Sequence, residues 1–156
     1  MVVLNNYVLD NIDVNNITDS AFFEKMKQDE DFKRFFGGVL LKEENQGSIF
    51  MNDYLLKSNG QNVGYIHIGD KVIREEVVAV TLYYYIDKLY RGNGIATGAL
   101  RELMEYLTNQ EHVNYFILNI HRENMASIKV AINNGFIQKN EINYNEEEIQ
   151  FVHKTL

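Results

Sequence analysis

Apolar residues follow two different periods on either side of a glycine-rich stretch in the middle of the chain. Residues 77–86 form a continuous run rich in valine and tyrosine, which is typical of a buried strand. After the glycines, Ile95, Ala99 and Leu103 recur at the spacing that places them on one face of a helix. A second apolar run at 113–120 predicts another strand. This strand–helix–strand unit predicts two parallel strands joined by a right-handed crossover.

The segment before this unit predicts an initial strand and a hairpin. Residues 6–12 alternate weakly between apolar and polar positions, which indicates a first strand. Residues 54–57 and 63–69 are two apolar runs on either side of Asn59 and Gly60. Because Asn-Gly adopts the tight turn that matches the twist of paired strands, it is a strong hairpin signal. We therefore expect two antiparallel strands here.

Two short helices are predicted between the first strand and the hairpin. Thr18 or Asp19 can cap the first helix, since a side-chain oxygen there can accept from the exposed N–H groups of the first turn. Asp29 or Asp31 can cap the second helix in the same way. The glycine pair at 37–38 predicts the end of this second helix.

The chain after the crossover predicts one short helix and two last strands. Asn124 can cap the helix, and the Asn-Gly pair at 134–135 can close it. Residues 136–138 and 149–152 indicate the strands, and the polar residues 42–48 predict a loop. The whole pattern predicts a single mixed α/β domain with one sheet and helices packed on its faces.

Charge and hydropathy narrow the class of protein. The formal net charge is −7 and lysine and arginine form no cluster, so the sequence predicts no binding to nucleic acid. An acidic balance favours cationic small molecules or basic peptides, although −7 is also an ordinary charge for a soluble domain. No apolar run approaches the roughly 20 residues of a membrane span, and the start of the sequence, without a basic region or a long apolar stretch, leads us to expect no secretory signal. We therefore expect no membrane partner.

The chain contains no cysteine, which excludes disulfides, thiolate nucleophiles and cysteine-ligated metals. This absence agrees with a cytoplasmic location. The four histidines lie far apart and the sequence H-E-x-x-H is absent, so we expect no metal site.

The junction between the long strand and its helix carries the clearest chemical signal. It reads Tyr-Arg-Gly-Asn-Gly-Ile-Ala-Thr over residues 90–97. Glycines let the backbone turn sharply, and the unpaired N–H groups at the start of a helix attract anions. The junction therefore predicts a pyrophosphate site with the charge of Arg91 at its rim. A glycine-rich turn without a ligand is the alternative for such a motif taken alone.

Two other phosphate-binding motifs fit less well. A dinucleotide site needs a third glycine where this chain has Thr97, and it usually lies in the first strand–helix unit of a chain. The P-loop sequence G-x-x-x-x-G-K-[ST] is absent. A nucleotide- or dinucleotide-binding function therefore rests on the glycines alone.

Residues 91–96, Arg-Gly-Asn-Gly-Ile-Ala, resemble the R/Q-x-x-G-x-G/A loop that binds the coenzyme A pyrophosphate in the GNAT N-acetyltransferase superfamily. Residues 124–128 and the Gly-Phe pair at 135–136 resemble the N-x-A-S and G-F segments of the same superfamily. With Ser127 and without the usual tyrosine near the helix end, the chain is most similar to the branch that acetylates the N-termini of ribosomal proteins. The resemblance is specific from about residue 83 to residue 136, and elsewhere it extends only to element order.

The resemblance implies a GNAT domain with a mostly antiparallel, splayed central sheet and helices on both faces. It implies acetyl-CoA as cosubstrate and direct transfer of acetyl, in a ternary complex, to the amine of a peptide N-terminus or of a cationic small molecule. Family habit also allows a homodimer. The acetyl thioester would lie near Tyr84. The implied contacts to coenzyme A come from the end of the long strand, the glycine loop and the later short helix, at Tyr85, Ile86, Arg91, Gly92, Asn93, Gly94, Ile95, Ala96 and Asn124.

The chain departs from the family where the catalytic acid and base usually stand. Ala131 occupies the position of the tyrosine that protonates the leaving thiolate in many members. Thr81 and Asn119 occupy the positions where members place a glutamate. These departures favour an alternative function, a catalytically degenerate module that binds acyl-CoA as a ligand or sensor.

Several residues can replace the missing groups. Ser127 can protonate the thiolate, and Glu146, in a run of three acids before the last strand, can act as the base. First-turn hydrogen bonding for Ser127 and a solvated turn for the acids are the alternatives. His121 follows the strand next to the cofactor, but it also fits a surface loop, and His67 is expected to be structural. Tyrosines 83–85 alternate faces, so one or two of them should line the cleft. A base relayed through solvent is a further alternative.

Overall fold

The computed structural model of the chain describes residues 1–40, 52–139 and 147–155. The loop predicted at 42–48 and the candidate base Glu146 lie outside these residues.

The chain forms two compact units. Residues 1–67 and 84–93 make the first unit, and residues 68–83 and 94–156 make the second. The long strand predicted from the valine- and tyrosine-rich run therefore contributes to both units, and its last residues belong to the first.

The first unit is an antiparallel series of strands with two helices. Its elements are β1 (Val2–Val3), β2 (Val8–Asn11), α1 (Ile17–Gln28), α2 (Glu30–Leu40), β3 (Asp53–Ser58) and β4 (Gln61–Ile68). Strands β1 to β4 pair in chain order, each antiparallel to the next. A buried cluster joins apolar residues of α1 and α2 to the strands and comprises Ile12, Met26, Phe32, Leu55, Tyr65 and Tyr85.

The second unit contains the predicted crossover. Its elements are β5 (Val72–Arg74), β6 (Val77–Ile86), α3 (Ile95–Glu111), β7 (Tyr115–His121), α4 (Met125–Asn133), β8 (Ile137–Gln138) and β9 (Glu148–Lys154). Strand β6 pairs parallel with β7 and antiparallel with β5. Strand β9 lies antiparallel to both β7 and β8. The apolar face of α3 is buried as its spacing predicted, at Ala99, Leu100, Leu103, Met104 and Leu107.

The fold class is confirmed: the chain is a mixed α/β domain with a mostly antiparallel sheet, and β6–β7 is its parallel pair. The hairpin is also confirmed. Asn59 and Gly60 have φ values of 52° and 78°, and two positive φ values are what the tight Asn-Gly turn requires. None of the described helices is long and apolar enough to cross a membrane.

Two predictions about the helices were wrong, and the short strands β1 and β5 were not predicted. Helix α1 is capped by Asn16, whose side chain accepts from the Asp19 N–H at 3.0 Å, and not by Thr18 or Asp19. Helix α2 continues through the glycine pair at 37–38 to Leu40. Strand β5 was not predicted, because three residues carry too little periodic signal.

Candidate functional site

The glycine loop, residues 91–96, connects the end of β6 to α3 by a turn stabilised by local hydrogen bonds. A short 3-10 turn at Lys88–Tyr90 follows the strand. The Asn93 side-chain amide then donates to the Tyr90 carbonyl at 3.3 Å. Gly92 and Gly94 have φ values of 82° and 74°. These left-handed values favour glycine strongly, so the sequence at this turn is dictated by its backbone.

The space in front of this turn suits a phosphate group. Gly94 is the N-terminal cap of α3, which then runs for 17 residues from Ile95. Among the described residues, no heavy atom lies within 4 Å of a Cβ built on Gly92 or Gly94. The first N–H groups of a helix lack partners within the helix and attract negative charge. The open space at Gly92 and Gly94 is compatible with the pyrophosphate that the sequence predicted.

Arg91 is fixed by its own unit rather than projecting freely into solvent. Its Nε donates to the Ile86 carbonyl at 2.8 Å. Its two terminal nitrogens lie 2.7 Å from Asp31 Oδ2 and 3.5 Å from Asp29 Oδ2, and its guanidinium stacks over the Tyr85 ring at 5.4 Å. A guanidinium has five N–H groups, and these contacts use three of its nitrogens once each. Two N–H groups therefore remain for a ligand oxygen.

Asp29 is the centre of this charged cluster. It caps α2, as predicted, by accepting from the Asp31 N–H at 2.8 Å. The Tyr85 hydroxyl donates to its other oxygen at 2.5 Å. Burial alone would raise the pKa of Asp29, but these hydrogen bonds and the charges of Arg91 and Lys88 lower the pKa below its usual value of 3.8. Asp29 is therefore an anion that ties α2 to the segment after β6.

At the end of β6, the backbone groups of Tyr85 and Asp87 face β4, and those of Ile86 face the opposite edge of the strand. The Asp87 N–H donates to the Val63 carbonyl at 2.9 Å, so the strand faces β4 there. The Tyr85 carbonyl points the same way and would lie 2.3 Å from a Cβ on Gly64, which explains that glycine. Because successive residues of a strand point to opposite edges, the N–H and C=O of Ile86 face away from β4. The Tyr85 side chain is buried in the core and does not line a cleft.

In the second unit, Asn124 and Ser127 form the first turn of α4. The Asn124 Oδ1 accepts from the Ser127 N–H at 3.3 Å, which confirms the predicted cap. Ser127 is half-buried. The other predicted cofactor residues of this unit, Ile95 and Ala96, begin α3.

Asn119, one of the positions where the chain departs from the family, belongs to a polar network. Asn119 accepts from the Gln150 side chain at 3.2 Å and also bonds the Tyr83 hydroxyl. Burial is the main reason that the pKa of Tyr83 is raised, and the charge of Glu148 adds to it. His121 pairs in register with Glu148, and its Nδ1 accepts from the Glu123 N–H at 3.1 Å. Ala131 is fully buried.

Sequence reasoning missed a charged group at the other end of the hairpin. Asp53, at the start of β3, is completely buried and accepts from the Tyr65 hydroxyl. The same oxygen lies 2.9 Å from Nδ1 of His67. Counting back from the Asn-Gly turn would not have found the pairing of Asp53 with His67, because the register shifts by one residue between Leu56 and Lys57. Among the described residues, no group of three or more potential metal ligands lies together.

Comparison with known proteins gives the following matches. The family model described as acetyltransferase (GNAT) domain matches residues 11–137. No curated protein matches the sequence. Similar solved structures include the acetyltransferase from Agrobacterium tumefaciens str. C58, at 13% identity and a TM-score of 0.74, over 97% of this chain and 92% of that one.

Two further structures carry ligands. Aminoglycoside acetyltransferase AAC(6')-Ib in complex with coenzyme A and kanamycin is similar over 96% of this chain and 94% of its own, at 17% identity and a TM-score of 0.71. RimL, a ribosomal L7/L12 α-N-protein acetyltransferase in complex with coenzyme A, is similar over 98% and 96%, at 17% identity and a TM-score of 0.74. At these identities the likeness shows a common fold.

Proposed function

The chain belongs to the acetyltransferase (GNAT) family, and from this premise we propose that it transfers acetyl from acetyl-CoA to a primary amine. The observation that carries the proposal is the glycine loop. Gly92 and Gly94 hold left-handed conformations just before α3, whose first N–H groups have no partner within the helix, and this arrangement supports a pyrophosphate site.

Other residues of the proposed coenzyme A site follow from the same geometry. We assign two N–H groups of Arg91 and the backbone N–H groups of residues 92–96 to the pyrophosphate. Ile86 offers its backbone N–H to the pantetheine arm on the side of β6 away from β4, since its carbonyl already accepts from Arg91 Nε and the backbone groups of Tyr85 face β4. Asn124 offers its amide N–H₂ group, since its oxygen is engaged by the cap.

Direct transfer within a ternary complex is favoured over an acylated enzyme. Because the chain has no cysteine, it lacks the side chain best suited to accept acetyl from a thioester. The incoming amine must lose a proton, and the coenzyme A thiolate must accept one or be stabilised. Ser127 and Glu146 remain our proposals from sequence for the proton donor and a base. The absence of cysteine also favours a cytoplasmic site of action.

The acceptor is proposed to be a cationic amine or a peptide N-terminus. Solved relatives include an acetyltransferase with bound kanamycin and a ribosomal L7/L12 α-N-protein acetyltransferase, and the present chain has a formal net charge of −7. An acidic protein concentrates cationic amines near its surface. The similarity of Ser127 and its surroundings to the N-terminal acetyltransferase branch favours the peptide.

The test is release of the coenzyme A thiol during incubation with acetyl-CoA and an amine. Because the chain contains no cysteine, a thiol reagent detects product without background from the protein. Kanamycin and a short peptide with a free N-terminus are the two acceptor probes, and the same peptide with a blocked N-terminus is the control. We expect thiol release and acetylated product with at least one free amine and none with the blocked peptide.

The missing tyrosine and glutamate favour a second candidate, the degenerate acyl-CoA-binding module. Tight binding of acetyl-CoA without acetylated product from either free amine would support that candidate and contradict the enzyme.

A further inference from the structure

The sheet of the second unit has one polar, half-buried face and one apolar, buried face. Because side chains alternate along a strand, Tyr83 of β6, Asn119 of β7 and Gln150 of β9 share a face, which we call the polar face. Asn119 bonds the Tyr83 hydroxyl and accepts from the Gln150 side chain at 3.2 Å, and all three residues are half-buried. The opposite face carries apolar residues that are at most 2% exposed, namely Leu82, Leu118 and Phe151.

Glu148, the first residue of β9, presents a carboxylate on the polar face. It lies two residues before Gln150 and pairs in register with His121 of β7, so its side chain projects to the same side. Burial raises the pKa of Tyr83, and the charge of Glu148 raises it further, so the carboxylate acts on the Tyr83 hydroxyl. Among the described residues of β6, β7 and β9, no other carboxylate lies on this face. Glu147, one residue earlier, lies outside the strand and is exposed.

The edge of β6 limits how far the acetyl group of a bound acetyl-CoA can reach. The pantetheine arm is assigned to the edge away from β4, which is the edge that pairs with β7. From the pyrophosphate at the glycine loop, the arm runs past Ile86 towards the start of β6. Strand β7 occupies this edge as far as Thr81, so the arm must end before that residue. The thioester is therefore expected beside residues 82–84, in agreement with the position near Tyr84 that the resemblance implies.

Within this unit, an acceptor amine can approach that position from the polar face, because the opposite face is buried. The amine arrives as a cation, since an α-amino group has a pKa of about 8, and it must lose a proton before it can attack. A carboxylate attracts the cation and can take the proton. Its two oxygens have about four acceptor positions, so hydrogen bonds within the polar face do not prevent a bond from the amine.

We propose that Glu148 binds the ammonium group of the acceptor and is the general base of acetyl transfer; the proposal rests on the proposed acetyltransferase function. The Glu148 carboxylate takes one proton from the ammonium group. The neutral nitrogen then bonds to the thioester carbonyl carbon, the carbon–sulfur bond breaks, and coenzyme A leaves as a thiolate with the bonding electron pair. The nitrogen gives up a second proton as the amide forms. One of these protons ends on the thiolate and the other in solvent. This assignment moves the base from Glu146 to a later residue of the same acidic run.

The kinetic test compares Glu148→Gln with Glu147→Gln, using whichever of kanamycin and the free peptide the wild type acetylates faster. Both variants remove one negative charge from the same run of acids, but Glu147 lies outside the strand and is exposed. We expect kcat/KM for the acceptor to fall by about 100-fold or more in Glu148→Gln and to stay within about threefold of wild type in Glu147→Gln. Acetyl-CoA should bind both variants with wild-type affinity in titration calorimetry.

The pH dependence separates a base from a residue that only shapes the site. Above the pKa of its amine, which is about 8 for a peptide N-terminus, the acceptor arrives already deprotonated. The deficit of Glu148→Gln, relative to wild type at the same pH, should therefore shrink as the pH rises through that pKa, whereas a structural defect would persist. The comparison with wild type also accounts for the other ionisable side chains that the strands of this unit present on the polar face, namely Tyr83, Tyr115, His121 and Lys154.

Glu148→Asp keeps the test decisive if thermal unfolding shows that Glu148→Gln does not fold. It keeps the charge but is shorter by one methylene, so we expect a loss of about tenfold or more in kcat/KM from the displaced carboxylate.

The proposal would be overturned by a kcat/KM within about threefold of wild type in Glu148→Gln or, if that variant does not fold, in Glu148→Asp. A deficit that is equal below and above the amine pKa, or an equal loss in Glu147→Gln, would also overturn it. In each case wild-type turnover would leave the acetyltransferase function intact. Absence of acetyl transfer by the wild type would remove the proposed function and this inference together.

Discussion

At Arg91 the chain brings a cation and two carboxylates to the edge of a proposed anion site. Asp31 is 2.7 Å from the guanidinium, and both side chains are more than a third exposed. An exposed pair of this kind contributes about 0–1 kcal/mol to stability. Its larger effect should be on the ligand, because Asp31 competes with the pyrophosphate for the same charge.

We predict that Asp31→Asn binds acetyl-CoA more tightly than the wild type. Removing the carboxylate frees a donor of Arg91 and eliminates one negative charge that repels the pyrophosphate. The dissociation constant should therefore fall about two- to fivefold, which corresponds to a gain in binding free energy of about 0.5–1 kcal/mol. Titration calorimetry at low ionic strength measures this change, and added salt should reduce it.

Glu30→Gln is the matched control for Asp31→Asn. It removes one negative charge from the same turn of α2, but Glu30 pairs with Lys33 at 3.7 Å and not with Arg91. A similar gain in affinity in both variants would indicate a general charge effect, and a loss in Asp31→Asn would show that the ion pair holds Arg91 in its binding position.

Among the elements, α4 begins with a residue that has two assigned roles. Asn124 caps the helix through its oxygen, and its amide N–H₂ group is proposed to contact coenzyme A. Aspartate caps a helix as well as asparagine does, but it has no amide to donate. The two roles can therefore be separated by substitution.

We predict that Asn124→Ala lowers the free energy of unfolding by about 1 kcal/mol, measured by urea denaturation, because the cap is lost. Asn124→Asp should keep that stability and still weaken acetyl-CoA binding about fivefold or more, since one hydrogen bond is lost and a negative charge is added. Unchanged affinity in Asn124→Asp would contradict a coenzyme A contact by this side chain.

The elements also show what sequence can and cannot predict. The β6–α3–β7 crossover and the glycine loop follow from local periodicity and backbone preference, so they were predictable. The Asp53–His67 pair was not, because the hairpin register shifts by one residue between Leu56 and Lys57. Counting from the turn without this bulge would place Asp53 opposite Ile66. A bulge depends on the packing of both strands and leaves no local signal in the sequence.

The end of α2 also depends on packing that the local sequence does not reveal. Glycine normally ends a helix, but a pair of glycines inside α2 is tolerated because the cost of each is about 1 kcal/mol and packing elsewhere in the unit offsets it. The cap at Asn16 was missed for a simpler reason, since the neighbouring candidates Asn16, Thr18 and Asp19 differ only in where the chain leaves the extended conformation.

For the whole molecule, buried tyrosines dominate the expected response to alkaline pH. Burial is the first cause that raises the pKa of Tyr65, Tyr83 and Tyr85 above the usual value of 10.0, and nearby carboxylates add to it. Above this value the unfolded chain loses these protons while the folded chain keeps them. The unfolded state then binds fewer protons, so the free energy of unfolding must fall as pH rises.

We predict that the free energy of unfolding declines by about 1.4 kcal/mol per pH unit for each of Tyr65 and Tyr85, and that Tyr83 adds to this decline, measured by urea denaturation between about pH 10.5 and about pH 11.5. Tyr85→Phe should be less stable at neutral pH, since it loses the bond to Asp29, but its slope should be shallower by about 1.4 kcal/mol per pH unit. Equal slopes in the two proteins would contradict the raised pKa of Tyr85.

The central claim is that the chain uses acetyl-CoA through the glycine loop, and titration calorimetry of the wild type, Gly94→Glu and Gly60→Glu tests it most directly. Gly94 and Gly60 have φ values of 74° and 78°, and at both positions no described heavy atom lies within 4 Å of an added Cβ. Both variants therefore introduce the same backbone strain and the same negative charge, Gly94→Glu in the glycine loop and Gly60→Glu in the hairpin turn. We expect the wild type and Gly60→Glu to bind acetyl-CoA with micromolar affinity, and we expect Gly94→Glu not to bind it. No binding by the wild type, or equal binding by all three proteins, would contradict the account.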